Sequence, residues 1–81
     1  MRFELKLMND GTVAIFDTYE DRNPVFVPNN DRCIRNGIKL FYDMDAFRYN
    51  LDNDEQEGYV SKMMEQLPKE DLSFKEVKEI D

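Results

Sequence analysis

The chain has 81 residues, 18 of them Asp or Glu against 11 Lys or Arg, giving a formal net charge of −7. A length of this order allows one domain with a small core and excludes a second, and 41 % hydrophobic with 12 % aromatic residues argues for a folded chain over a disordered one. The acidic balance argues against direct nucleic-acid binding, which needs a basic face that displaces counterions from phosphates.

Arg2 to Met8 places Phe3, Leu5 and Leu7 on one face and Arg2, Glu4 and Lys6 on the other, the period-2 pattern of a half-buried strand. Asn9-Asp10-Gly11 suits a tight turn, because these residues tolerate positive φ. Thr12 to Thr18 then returns as a second strand, with Val13 and Ile15 on one side and Ala14 and Phe16 on the other. Asp17 to Pro24 reads as a connection. Val25-Phe26-Val27, stopped by Pro28, reads as a short strand whose prolines place it at a sheet edge. Asn29, Asn30 and Asp31 are candidate helix caps, with Gly37 closing a single turn over Arg32 to Asn36. Ile38 to Tyr42 fits either a further strand or the start of the next helix.

From Asp43, a candidate N-cap, the spacing of Met44, Phe47 and Leu51 predicts a helix. Asp52 to Gly58 reads as an acidic break. Tyr59, Val60, Met63, Met64 and Leu67 then share one face of a second helix that ends at Pro68. Ser73 and Glu76 form a capping box for a last short helix, whose apolar side Val77 and Ile80 extend. The expected fold is one α+β domain over 1–81, mainly β over 1–42 and mainly α over 43–81. In it a small antiparallel sheet, the N-terminal hairpin plus one or two short strands, is covered on one face by two or three C-terminal helices.

The residue types for catalysis are sparse. Cys33 is the lone cysteine, and the chain has no histidine to activate it, so a disulfide within the chain or a thiolate metal cluster is excluded. Gly11, Gly37 and Gly58 lie too far apart for a phosphate-binding loop. An EF-hand starting at Asp43 would meet Arg48 and Asp54 where glycine and glutamate are required, and one starting at Asp52 would meet Glu57 and Met63. Paired carboxylates acting as acid and base need an apolar wall beside one of them, and these acids lie in polar sequence. We therefore expect no enzyme activity, no cofactor and no metal. Arg22, Arg32, Arg35 and Lys39 form a local basic run, diluted by Asp21 and Asp31. No apolar run is long enough for a bilayer, and the N-terminus alternates charge with hydrophobe. The expectation is a cytoplasmic protein without a membrane segment.

The charge is unevenly placed. Residues 1–42 hold six acids and six bases, whereas residues 43–81 hold twelve acids and five bases. Asp43, Asp45, Asp52, Asp54, Glu55 and Glu57 are opposed over their span only by Arg48. Carboxylates gathered on a rigid scaffold attract a basic groove and raise association rates, and Tyr49 and Tyr59 would add desolvated contact at the centre. The composition resembles that of small acidic inhibitors carried by phages and mobile elements, including antirestriction and anti-CRISPR proteins, in composition alone. The expected function is a non-enzymatic inhibitor that occludes the basic, nucleic-acid-binding surface of a partner protein, as a DNA mimic does. The alternative is a structural or assembly module that self-associates, as a homodimer, through an aromatic face or a β-edge.

Overall fold

The computed structural model describes residues 2–67 and 77–80. Strand β1 (Phe3–Met8) and strand β2 (Thr12–Asp17) form the expected antiparallel hairpin, with Leu5 opposite Ile15 and Leu7 opposite Val13. Gly11 takes a φ of 88°, and Asp10 accepts hydrogen bonds from both the amide and the hydroxyl of Thr12. The hydroxyl bond above all, and then the amide bond, draws the Asp10 carboxyl below its ordinary range. Strand β3 (Val25–Pro28) pairs antiparallel with β2 and lies at an edge of the sheet, as its prolines require.

A single 18-residue helix, α1 (Asp31–Arg48), replaces the short turn, the ambiguous stretch and the helix beginning at Asp43 that the sequence suggested. The mainly β part therefore ends near residue 28, well before 42. The Asn30 side chain caps the helix by accepting from the Cys33 amide at 2.9 Å. Asp43, expected as a cap, lies inside it. Asn50, with φ of 55°, ends it: the Asn50 amide bonds Phe47 O and the Leu51 amide bonds Ala46 O, the paired bonds of a Schellman motif. Helix α2 (Asn53–Glu65) starts where the acidic break was expected. Asp52 is its N-cap, accepting from the Glu55 amide at 2.9 Å, and that bond holds the Asp52 carboxyl below its usual range.

A fourth strand, β4 (Val77–Ile80), pairs parallel with β1, so the order is β3-β2-β1-β4 and the sheet is mixed. Val77 and Ile80 thus belong to a strand and not to the expected last helix; its proposed start, Ser73 to Glu76, lies outside the described residues. The rest is the α+β arrangement foreseen, with α1 packed on the sheet and α2 on α1.

The core joins Phe3, Leu5, Val13 and Ile15 of the sheet to Ile34, Ile38, Phe41 and Tyr42 of α1 and Val60 of α2. Gly37 permits a close approach of helix to sheet: a Cβ there would lie 2.5 Å from Ile15 Cδ1 and 3.2 Å from Val27 Cγ1. Ile15 is fully buried and Val27 is stiff at χ1. Gly37→Ala is therefore expected to destabilise the protein by about 1 kcal/mol, overpacking outweighing the gain in helix propensity. Ile15→Val, which removes the clashing methyl, should recover part of that loss in a double-mutant cycle read by urea denaturation. Simple additivity would show that the two sites do not meet.

Candidate partner-binding surface

Two classes of carboxylate emerge from the fold. The first faces inward. Arg2 donates from Nε and Nη2 to the two oxygens of Asp17 at 2.9 and 2.8 Å, a bidentate pair, and also meets Asp45 at 2.9 Å. Arg22 reaches Asp45 at 2.8 Å and Asp17 at 3.6 Å. The Asp17 side chain has no exposed surface, and that of Asp45 has 8 %. Two arginines and two aspartates thus form a balanced, largely buried set joining the start of β1, the end of β2, the following loop and α1. Rings surround it: the Arg2 guanidinium lies 5.0, 5.1 and 5.5 Å from the centroids of Phe3, Tyr42 and Tyr19.

Burial alone would push the Asp17 carboxyl up. The Arg2 hydrogen bonds, the Tyr19 amide and the charges of both arginines outweigh it and hold the group below the usual carboxylate range. The same contact with Asp17 raises Arg2 above its ordinary value, against the opposing effect of burial. The Tyr59 hydroxyl donates to Asp45 at 3.4 Å, and burial followed by the Asp45 charge pushes that phenol up.

The structure places the residues expected to face a partner in different settings. Asp45 belongs to the interior, because α1 turns it toward the core beside Phe41 and Tyr42. Asp43 is half-buried and bonded to Lys39 at 2.9 Å, and Asp52 is committed to capping. Tyr59 is half-buried, its ring edge-on to Tyr42. Asp52, Asp54, Glu55, Glu57 and Tyr49 lie outside, Tyr49 at 60 % exposure. The basic run is divided: Arg22 turns inward, while on α1 Arg32 is exposed, Arg35 pairs with Asp31 at 3.0 Å and Lys39 pairs with Asp43.

The second class faces outward along α2. Asp54, Glu57, Ser61 and Glu65 are all exposed and follow one another at i, i+3, i+7 and i+11, which places them on one side of the helix over about 16 Å at 1.5 Å per residue. Glu65 was not among the expected residues; its phase with Asp54 becomes readable only once α2 is known to start at Asn53. Asp54 and Glu55 also stabilise the first turn through the helix dipole. Glu65, at the C-terminal end, sits where that dipole disfavours a negative charge.

An open groove runs between the helices, with Lys39 and Asp43 on the α1 side and Gln56, Glu57 and Ser61 on the α2 side. Across α1 from it, Leu40, Met44 and Phe47 form an outward apolar stripe at i, i+4 and i+7, closed against Val25 of β3, with Asp43 bordering both hollows. Phe47 is 81 % exposed and Met44 42 %.

Among the described residues no group of three or more His, Cys, Asp or Glu is placed to hold a metal ion, and no described helix is long and apolar enough to cross a membrane. Comparison of the chain with protein-family models, with curated proteins and with solved structures finds no match in any of the three.

Proposed function

We propose that the protein is a non-enzymatic binding module that engages a basic surface of a partner protein through the outward carboxylates of α2, and so covers a surface that otherwise meets nucleic acid. The observation that carries this reading is the single-sided alignment of Asp54, Glu57 and Glu65. These acids lie on a rigid helix and are separate from the carboxylates that the fold consumes internally. Around them, from Tyr49 to Leu67, five acids face one lysine, so the potential over this side is negative well beyond contact distance. Tyr49, exposed beside the start of α2, supplies an aromatic contact of the kind enriched at interface centres.

Affinity capture from a cell lysate tests the reading, with the wild-type chain compared to a variant carrying Glu57→Lys and Glu65→Lys. The expected result is a basic partner retained at low salt by the wild type, released at high salt and lost by the variant. A partner retained equally by both proteins would remove the carboxylates from the account.

A further inference from the structure

We infer that the stripe of Leu40, Met44 and Phe47 is the seat for an amphipathic, basic helix of the partner, whose apolar residues pack on α1 while its lysines or arginines reach across the groove to Asp43 and Glu57. This inference rests on the proposed role of the acidic side and specifies the kind of partner surface it receives.

The geometry supports the occupant in three respects. First, the stripe spans two turns of α1, and with Val25 it makes a hollow whose walls are almost wholly apolar. That is the form of site that takes helical anchors spaced i, i+3 or i+4, and i+7. Second, the chemistry on its two sides differs. The β3 side offers Val25, whereas the α2 side offers Asp43 and then Glu57 within the groove, so the carboxylates that line the two hollows lie on the α2 side of the stripe. Third, the Lys39–Asp43 bridge is an exposed i,i+4 pair with the Lys39 side chain 51 % exposed. Such pairs are weak, and a partner cation can take Asp43 from Lys39 at little cost. A second copy of the chain fits this seat poorly, because it carries the same acidic α2 beside its own stripe and like charges would face one another at a net charge of −7 per chain.

Fluorescence anisotropy with the 81-residue chain tests the inference, using three labelled synthetic peptides. One is a helical peptide of leucine and lysine with a single apolar face, the second a scrambled peptide of the same composition, and the third the amphipathic sequence with glutamate for lysine. The amphipathic lysine peptide is expected to bind at least about ten-fold more tightly than the scrambled one and to lose about ten-fold on Phe47→Ser, the loss of one anchor. Phe47 is so exposed that its replacement leaves the core untouched. The glutamate peptide is expected not to bind.

Equal binding of amphipathic and scrambled lysine peptides, unaffected by Phe47→Ser, would overturn the seat while leaving the acidic side intact. Equal binding of lysine and glutamate peptides would overturn both readings. Absence of binding by any peptide would overturn the seat, as would a wild-type dimer in sedimentation that Phe47→Ser dissociates, which would assign the stripe to a second copy.

Discussion

Replacing Asp17 with alanine is expected to lower the unfolding free energy by about 3–5 kcal/mol, the range for breaking a buried ion pair from one side. The Asp17 carboxylate has no exposed surface and takes two hydrogen bonds from Arg2, one from the Tyr19 amide and the charge of Arg22. Without it, two largely buried arginines share Asp45 alone. Since small domains hold only about 5–15 kcal/mol in total, urea denaturation should show a sharply earlier midpoint; a loss under about 1 kcal/mol would mean that the set is no stronger than a surface pair. The pH dependence has a defined sign. A carboxyl lowered in the folded state contributes stability that is complete above its unfolded value, about 3.9, and is lost as the pH falls through the lower folded value. Wild-type stability should therefore decline below about pH 4, and Asp17→Ala should decline less over the same window.

The second large effect concerns binding and leaves folding nearly unchanged. Glu57→Lys with Glu65→Lys is expected to weaken capture of the basic partner by about 100-fold, because each reversal turns an attraction into a like-charge contact worth a kcal/mol or more. Thermal stability should shift little, for local reasons at each position. Glu57 lies beyond the first turn of α2, and a lysine at position 65 suits the helix dipole better than the glutamate it replaces. Asp52 and Asp54 make poorer tests, since the first caps the helix and the second favours its N-terminus. Changes there would mix loss of helix with loss of contact.

The β half was legible because its signals are local. Alternation in Phe3, Leu5 and Leu7, the Asn-Asp-Gly turn and the prolines around β3 each fix geometry within a few residues. Helix α1 was not, because Gly37 resembled a stop and five residues from Ile38 to Tyr42 carry no decisive period. Starting the helix at Asp43 set its phase by Met44 and Phe47, which turned Asp45 outward; phased from Ile34, Ile38 and Phe41, Asp45 falls on the buried side. The same error hid the inner ion set. Its one local signal was Asp17, which continues the inward series of Val13 and Ile15; the convergence of Arg2, Arg22 and Asp45 on it depends on contacts distant in sequence. Strand β4 was missed for a related reason, since its parallel pairing with β1 joins opposite ends of the chain.

The division of carboxylates into an inward set that holds the fold and an outward set that meets a partner is tested most directly by association kinetics. With the captured partner in hand, the on-rate is measured across ionic strength for the wild type and for a variant with Glu57→Gln and Glu65→Gln. The wild type should show a steep fall in rate with salt, and the neutralised variant a slower rate with a markedly shallower slope. Two parallel slopes would show that the outward face of α2 plays no part in attracting the partner.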